Sequence, residues 1–476
     1  MSTSPSKTPQ LANFKLRPYQ LEAVAAALAK RQPGSKVLVV LPTGSGKTEV
    51  IVELTEKLSN KQVIVITPRK KLLDQLRKNL RAHGVCSSMR GNDQGDKHGL
   101  IIGTDQTISR RFNFIQPDYV ILDECHWKYD KITRKFPNAI VIGLTATPYR
   151  HNMHITKCGQ QWEEIYSISL PDLIKQDYLV PPHSMATQAE LNCDLADRTT
   201  LTEVTKKIVP ALVSAVREEG REKILVFCTD IAHAESTASL LGRAGEKSVD
   251  IVHSKQPKLT RDKAFGDFET STGRSWLVNV GLVTMGVNIP KIDCIAILRS
   301  ITSFALLVQI IGRGLRLYPG KLNCLIYDFG RGTQRFGFVD SPSIDVGTGG
   351  STHVCNPKLK TCKCGAVVNQ AVRICHRCNY VFPLATSLRS NAVATQLLSE
   401  VFTFATYQDH QKSQDARGLW VVQHNLIGSS GEPLRALNYT EHEPTDKMSF
   451  ATRGARILVK PVGNGNGLVE ICSARK

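Results

Sequence analysis

Short apolar runs alternate with helix-like stretches between residues 16 and 150 of the chain. Each run has the length and composition of a short buried strand. The runs are Val37–Leu41, Val63–Ile66, Ile101–Ile102, Val120–Leu122 and Ile140–Leu144. Strands that alternate with helices in this way favour a parallel sheet that is covered by helices on both faces.

The same alternation begins again near residue 221. Its apolar runs are Ile224–Phe227, Val249–Val252, Trp276–Val280, Cys294–Leu298 and Cys324–Tyr327. We therefore predict an α/β fold with two similar parallel-sheet domains in tandem.

Changes in composition predict the boundaries around these domains. Prolines and mixed polarity indicate a connector with some helix, and a glycine- and serine-containing stretch indicates a linker. The predicted segments are a disordered tail at 1–15, a first domain at 16–150, a connector at 151–215, a second domain at 216–335, a linker at 336–354, a cysteine-rich module at 355–383 and an accessory domain at 384–476.

Composition narrows the class of protein. Of the 476 residues, 41% are hydrophobic and 22% are charged, which is a normal globular balance. The net charge of +19 suggests a polyanionic partner, with nucleic acid favoured over a membrane surface. The polar start and the lack of an 18-residue apolar run predict a soluble intracellular protein, in which most of the 13 cysteines are reduced.

One predicted turn has the residues of a phosphate-binding loop. The run Leu41-Pro-Thr-Gly-Ser-Gly-Lys-Thr48 follows a buried strand and opens a helix. Backbone N–H groups and the Lys47 ammonium suit the phosphates of a nucleoside triphosphate, while the Thr48 hydroxyl suits Mg²⁺. Leu41 replaces the glycine of the strict motif, but the strand, the turn, the lysine and the threonine all indicate a nucleotide site.

Acidic residues and arginines elsewhere complete a hydrolytic site. Asp123 and Glu124 follow an apolar strand, where Asp123 suits the metal ion and Glu124 suits the attacking water. Arg313 and Arg316 share one face of a predicted helix more than 250 residues after the loop, and can act as arginine fingers. The nucleotide would then lie between the two domains and draw them together.

A cluster of cysteines follows the linker. Two close pairs separated by a short hairpin suit the tetrahedral ligand set of a zinc ribbon. The predicted ligands are Cys362, Cys364, Cys375 and Cys378. Cys355 or His376 are alternatives for one member, and a reduced module that is held by packing alone is the alternative to zinc.

The motifs, in their order along the chain, resemble those of superfamily 2 helicases of the DEAD/DEAH type. They are Leu16-Arg-Pro-Tyr-Gln20, the loop at 41–48, Thr67-Pro-Arg69, Gly103-Thr104, Asp123-Glu-Cys-His126, Thr145-Ala-Thr147, Gly286-Val-Asn288 and Gln309–Arg316. The resemblance spans about 16–330 and is closest to the branch of XPB, UvsW and type III restriction translocases. Residues 276–280, 295–299 and 312–321 also resemble RadD-like bacterial repair helicases. The implied fold is two tandem RecA-like domains, then a small zinc ribbon and an α+β or β extension.

The resemblance assigns residues to hydrolysis and to nucleotide binding. Those implied in hydrolysis are Lys47, Asp123, Glu124, Gln309, Arg313 and Arg316. Those implied in nucleotide binding are Arg17, Gln20, Thr43, Gly44, Ser45, Gly46, Lys47, Thr48, His126, Gly286 and Asn288. Gln20 would contact the adenine edge, and Gln309 with His126 would sense the terminal phosphate. Asn288 stands where the family usually has aspartate, which predicts weaker coupling of hydrolysis to movement.

Four residues at predicted strand ends are assigned to a nucleic-acid strand. They are Arg69, Thr104, Thr229 and Thr284. Hydroxyl and guanidinium groups suit phosphates and carry no base information, so we expect tracking that does not depend on sequence.

The implied function is an ATP-dependent DNA helicase or translocase that acts on single-stranded, forked or branched DNA in repair, recombination or replication. ATP, Mg²⁺ and Zn²⁺ are the implied cofactors, and a recombinase or a single-stranded-DNA-binding protein is the implied protein partner. An RNA helicase and an ATP-switched recombination accessory factor with little unwinding are the alternatives. The expected location is the cytoplasm, at the nucleoid of a bacterial cell or in a phage-encoded version, without a membrane partner.

Overall fold

The computed structural model contains two parallel-sheet domains before residue 340. The residues that it describes are 15–68, 70–82, 99–111, 115–127, 129–150, 153–157, 162–185, 198–281, 289–337, 339–340, 359–361, 367–369, 397–398, 403–414, 420–428, 433–440, 456–461 and 469–474.

The first domain is built on a six-stranded sheet with the order β3-β2-β4-β5-β1-β8, in which every pair is parallel. The strands of this region, with a short antiparallel pair β6 and β7, are β1 (Lys36–Val40), β2 (Val63–Thr67), β3 (Leu100–Thr104), β4 (Tyr119–Asp123), β5 (Ile140–Thr145), β6 (Tyr149–Arg150), β7 (Met153–His154) and β8 (Trp162–Ser167). The helices are α1 (Pro18–Leu28), α2 (Lys47–Lys57), α3 (Lys70–Ala82), α4 (Asp105–Arg111), α5 (Asp130–Thr133) and α6 (Leu170–Lys175), with a 3₁₀ turn at Ile155–Lys157.

The second domain repeats this architecture with the strand order β11-β12-β10-β13-β14-β9, again with every pair parallel. Its strands are β9 (Pro182–Ser184), β10 (Lys223–Cys228), β11 (Val249–His253), β12 (Ser275–Val280), β13 (Cys294–Leu298) and β14 (Cys324–Asp328). Its helices are α7 (Arg198–Glu218), α8 (Ile231–Arg243), α9 (Lys258–Thr270), α10 (Phe304–Ile311) and α11 (Gly332–Phe336). The predicted pair of parallel-sheet α/β domains is confirmed.

The central strands are buried on both faces, which explains why they form continuous apolar runs in the sequence. Every residue of β2, β10, β13 and β14 is buried, as expected where helices cover both sides of a parallel sheet.

The segment predicted as a connector contributes one strand to each sheet. Strand β8 pairs with β1, and β9 pairs with β14. Neither forms an apolar run, because Glu163 and Glu164 of β8 face solvent at the edge of the sheet and β9 has only three residues. The sequence pattern therefore missed both edge strands.

Beyond the second domain, the described residues form antiparallel β-structure. A short pair consists of β15 (Leu359–Thr361) and β16 (Val367–Asn369). A five-stranded sheet of order β19-β18-β17-β20-β21 is formed by β17 (Thr403–Gln414), β18 (Trp420–Gly428), β19 (Pro433–Thr440), β20 (Arg456–Pro461) and β21 (Val469–Ala474). The four predicted zinc ligands lie outside the described residues, so the ribbon stays a prediction. Within the described ranges, no group of three or more histidine, cysteine or acidic residues is placed to hold a metal ion.

No helix among the described residues is both long and apolar enough to cross a membrane.

The two domains pack directly against each other. One buried apolar cluster includes Leu41 of the first domain and Leu315 of the second. The rings of Tyr149 and Phe304 meet edge to face with their centroids 5.8 Å apart. The carbonyl oxygen of Leu315 also accepts a hydrogen bond from the Val180 N–H at 2.8 Å. The carboxyl ends of the central strands in the first domain therefore lie close to the segment that follows α10.

Gly143 of β5 provides a test of how the edge strand β8 is anchored. A Cβ atom at this position would lie 2.7 Å from the Trp162 ring and 2.8 Å from the Cys125 sulfur. Gly143→Ala should therefore lower the free energy of unfolding by about 1–3 kcal/mol, measured by urea denaturation. Gly266→Ala in α9 is the matched control, because a Cβ atom there meets no atom within 4 Å. A loss at Gly143 no larger than that of the control would contradict this packing.

Candidate functional site

The loop between β1 and α2 forms one wall of a cavity. Gly44 and Gly46 have φ angles of 89° and 85°, in the left-handed region that glycine adopts without strain. Gly46 precedes the first residue of α2, Lys47, whose ammonium donates to the carbonyl oxygen of Leu41 at 3.4 Å. A turn of this kind before a helix presents backbone N–H groups to an anion.

Both domains line this cavity, which has a volume of about 320 Å³. The residues of the first domain in its wall are Arg17, Gln20, Thr43, Gly44, Ser45, Gly46, Lys47, Thr48, Glu49, Leu72, Asp123 and Glu124. The remaining wall is formed by Tyr178, Pro290, Arg313, Arg316 and Leu317. The structure thus brings together the loop, the acidic pair and both arginines that the sequence predicted to meet.

The contact between the loop and the arginine segment is close. A Cβ atom on Gly44 would lie 3.6 Å from the Cγ atom of Arg316 and 3.5 Å from the carbonyl oxygen of Gly312. A Cβ atom on Gly312 would lie 2.4 Å from the Thr43 Cβ. Glycines at both positions therefore allow the two domains to meet at this point.

The guanidinium groups of the two arginines are largely buried. Burial lowers the pKa of Arg313 to about 9, and the neighbouring charge of Arg316 contributes to the decrease. Burial also lowers the pKa of Arg316. An anion in the cavity would offset the free energy of burying these guanidinium groups, so the site suits a polyphosphate.

The acidic pair lies opposite the arginines. Burial, and secondarily the charge of Glu124, raise the pKa of Asp123 to about 7, while Lys47 opposes the increase. Glu124 has a φ angle of 52°, a left-handed conformation that is strained for a residue with a side chain. The Asp123 carboxylate and the Thr48 hydroxyl both line the cavity and provide the hard oxygen ligands that Mg²⁺ prefers.

A hydrogen-bonded group connects the acidic motif with the end of β5. The Nδ1 atom of His126 lies 2.9 Å from the Thr145 hydroxyl and 3.4 Å from the Thr147 hydroxyl. The same nitrogen lies 3.4 Å from a carboxylate oxygen of Glu124. The motif at 145–147 therefore contacts the acidic motif at 123–126.

Gln20 lines the cavity and makes hydrogen bonds that the sequence did not predict. Its side-chain oxygen accepts from the Arg17 N–H at 2.9 Å, and its amide nitrogen donates to the carbonyl oxygens of Ser45 and Gly46 at 3.0 and 3.3 Å. The Tyr19 hydroxyl donates to the same Ser45 carbonyl. In this conformation the Gln20 amide therefore holds the backbone of the loop.

Other predicted nucleotide contacts lie elsewhere or are not described. The described lining of the cavity includes neither His126 nor Gln309, which is buried in α10. Gly286 and Asn288 lie outside the described residues.

The structure describes two of the four residues that were predicted to contact a nucleic acid. Thr104 ends β3, where its hydroxyl lies 3.1 Å from the Thr107 hydroxyl, and Thr229 follows β10 and is exposed. Both lie at carboxyl ends of parallel strands, where ligands gather in open α/β sheets. Arg69 and Thr284 lie outside the described residues.

Sequence reasoning missed Tyr178, which lines the cavity from the segment between α6 and β9. The guanidinium carbon of Arg17 lies 4.8 Å from the centroid of its ring. No motif surrounds Tyr178 in the sequence, and only the tertiary fold brings it to Arg17.

The chain is similar to two protein families. Residues 13–150 match the family described as type III restriction enzyme, res subunit, and residues 205–318 match the helicase conserved C-terminal domain. A Schizosaccharomyces pombe protein that is named as a mitochondrial ATP-dependent helicase, irc3, is 29% identical in an alignment of 366 residues that covers 70% of this chain. The match spans 60% of that relative's own length.

Two solved structures share the fold. A fragment of an HsdR subunit of a type I restriction enzyme from Vibrio vulnificus has a TM-score of 0.54 at 23% identity, covering 68% of this chain and 67% of its own. The type ISP restriction-modification enzyme LlaBIII, solved bound to DNA, has a TM-score of 0.50 at 18% identity, covering 66% of this chain and 27% of its own.

His233 of α8 accepts a hydrogen bond from Thr229, two residues before this helix, and should make the stability of the protein depend on pH. Its Nδ1 atom accepts from the Thr229 N–H at 3.2 Å, and its Nε2 atom lies 3.1 Å from the Thr205 hydroxyl. Burial lowers the pKa of His233 from 6.5 to about 4. The unfolded chain therefore binds the proton first, and the stability that this neutral ring contributes is lost as the pH falls from about 6.5 to 4.

We expect wild-type protein to lose roughly 3 kcal/mol through this group over that interval, measured as the free energy of unfolding in urea. His233→Asn keeps an acceptor for the Thr229 N–H but does not titrate, so its stability should depend less steeply on pH. Equal slopes for the two proteins would show that the ring does not titrate as inferred.

Proposed function

We propose that the chain, which matches the type III restriction enzyme res-subunit family over 13–150 and the helicase conserved C-terminal domain over 205–318, is an ATP-dependent DNA helicase or translocase of superfamily 2, in the type III restriction and XPB-like branch. The observation that carries the proposal is the cavity in which the glycine-rich loop of one domain faces Arg313 and Arg316 of the other. Turnover at a site of this kind depends on the relative position of the domains.

In the proposed reaction, the backbone of residues 43–48 and the Lys47 ammonium bind the phosphates of ATP. Glu124 accepts a proton from the water molecule whose oxygen attacks the γ-phosphorus, while the bond from that phosphorus to the bridging oxygen breaks. Arg313 and Arg316 stabilise the negative charge that develops on the transferred group. The products are ADP and phosphate.

Thr48 and Asp123 would hold Mg²⁺, which offsets the charge of the phosphates when it is bound. Gln309 and His126 lie outside the described cavity wall, but His126 contacts Glu124 of that wall and both are proposed to sense the terminal phosphate. The contact of His126 with Thr145 offers a route by which the state of the nucleotide reaches the ends of the strands.

Three lines of observation support a nucleic acid as the partner, and one of them favours DNA. The chain has a net charge of +19, which suits a polyanion. The match to a restriction-enzyme family and the two restriction-enzyme structures point to DNA rather than RNA. Thr104 and Thr229 at strand ends suit phosphate contacts that carry no base information.

The finer assignments are part of the same proposal. They include the RadD-like identity, a role in repair, recombination or replication, a recombinase or single-stranded-DNA-binding partner, a cytoplasmic location and zinc at the cysteine cluster.

Substitution of the loop lysine tests the ATP site. Lys47→Ala should lower the ATPase turnover at least about 100-fold, because it removes the ammonium group that stabilises negative charge on the phosphates during transfer. DNA affinity without nucleotide should stay within a few-fold of wild type, since the proposed strand contacts lie elsewhere. Lys57→Ala at the exposed end of the same helix is the matched control and should retain wild-type turnover. Normal hydrolysis by Lys47→Ala would show that the site is assigned wrongly.

A panel of nucleic acids tests the polymer and the type of motor. We expect single-stranded or forked DNA to stimulate ATPase turnover more than RNA of the same sequence. The DNA affinity should fall at least about tenfold between about 50 and 200 mM salt, as counterions are released from the phosphates. Stimulation by RNA alone would favour an RNA helicase. DNA-stimulated turnover without strand displacement on a fork would favour a translocase or an ATP-switched accessory factor.

A further inference from the structure

A tight turn follows the segment that carries the two arginines. The Lys321 N–H donates to the Tyr318 carbonyl oxygen at 2.9 Å, and Gly320, the third residue of this turn, has a φ angle of 79°. Proline at the second position and glycine at the third are typical of a type II turn. The sequence Tyr-Pro-Gly-Lys at 318–321 thus reverses the chain and returns the Lys321 side chain to the arginine segment.

The Lys321 ammonium joins two parts of the cavity wall. It donates to the carbonyl oxygens of Pro290 and Arg316, each at 3.0 Å. Pro290 and Arg316 both line the cavity, whereas the described lining does not include Lys321. An ammonium has three N–H groups, so a single lysine can serve both oxygens at once.

The backbone at residues 315–316 has a second attachment. The Val180 N–H donates to the Leu315 carbonyl oxygen at 2.8 Å, and Leu179 forms a β-bridge with Arg316. Lys321 donates to the next carbonyl oxygen along the chain, that of Arg316. The place from which the Arg316 side chain enters the cavity is therefore defined by the chain that leads into β9 and by Lys321.

The ammonium of Lys321 lies where a positive charge is unfavourable. Burial lowers the pKa of Lys321 to about 8, the Cys324 thiol and the Asp293 carboxylate oppose this decrease, and the charges of Arg316 and Arg221 add to it. Hydrogen bonds from a charged donor are stronger than those from a neutral one, so the two carbonyl oxygens stabilise the ammonium here. At pH 7 the charged form still predominates.

We propose that Lys321 is a positioning residue for hydrolysis: by joining the carbonyl oxygens of Pro290 and Arg316, it sets the position from which the Arg316 guanidinium group meets the phosphates. This inference rests on the proposed function of the cavity. Because Lys321 acts through Arg316 and lies outside the described cavity wall, its removal should change the rate of hydrolysis rather than the affinity for nucleotide.

Lys321→Met tests this role, because it keeps an unbranched side chain and removes all three N–H donors. At pH 7, with saturating Mg²⁺–ATP and single-stranded DNA, its kcat should be about tenfold below that of wild type. Its affinity for Mg²⁺–ADP, measured by calorimetry, should stay within about twofold. Lys321→Arg keeps N–H donors and should recover most of kcat. Wild-type kcat for Lys321→Met, or an equal loss for Lys321→Arg, would refute the proposal.

A lysine elsewhere in the chain provides the matched control. The Lys135 ammonium also donates to a carbonyl oxygen, that of Ser109 at 2.9 Å, but neither residue is in the described cavity wall. Lys135→Met should therefore retain the kcat of wild type. A loss as large as that of Lys321→Met would contradict a specific role for Lys321.

The turn can also be altered while Lys321 is retained. Gly320 and Gly273 have φ angles of 79° and 73°, and a Cβ atom at either position meets no atom within 4 Å. Alanine at either position therefore strains only the backbone, and both variants should lower the free energy of unfolding. Gly320→Ala should lower kcat more than about twofold, whereas Gly273→Ala should not. Equal kcat values for the two variants would show that the turn does not place Lys321 as inferred.

A double-mutant cycle identifies the residue through which Lys321 acts. Once Arg316→Ala has removed the guanidinium group, adding Lys321→Met should lower kcat by less than about twofold. A further tenfold loss would refute the positioning of Arg316. Wild-type protein without ATPase turnover, or normal turnover by Arg316→Ala, would instead refute the proposed function of the cavity.

Discussion

The structure depends on the contact between the glycine-rich loop of one domain and the arginine segment of the other. Gly44 and Gly312 have no side chains at the point where the domains meet, and a Cβ atom on Gly312 would lie 2.4 Å from the Thr43 Cβ. The apolar cluster around Leu41 and Leu315 maintains this approach. Positive charge is thereby buried beside the loop, and the free energy of that burial is best offset by a polyphosphate anion.

Much of the fold could be predicted from the sequence, because the central strands are apolar on both faces. Ten apolar runs were located, and each lies within or beside a strand of the two sheets. The edge strands β8 and β9 were missed, since an edge exposed to solvent tolerates Glu163 and Glu164, and a three-residue strand leaves no periodic pattern.

The candidate site was predictable where motifs are contiguous. The loop, Asp123, Glu124, Arg313 and Arg316 converge as the order of the motifs indicated. The two arginines do not share a helix face as predicted, because α10 ends at Ile311 and both lie in the segment that follows it. Tyr178 was not predictable, because its place beside Arg17 depends on how the chain passes between the domains. The hydrogen bonds of Gln20 were equally hidden, since an amide can serve a base or a backbone carbonyl with the same atoms.

The passage of the chain from β8 to β9 also limits how far the domains can travel. Leu179 and Val180 are already paired with the second domain, so residues 168–178 are the segment that connects the two domains. With α6 intact, this segment can span at most about 25 Å from end to end. A separation of the domains beyond this distance must first break the β-bridge between Leu179 and Arg316. The widest opening of the cleft would therefore also release Arg316 from its position.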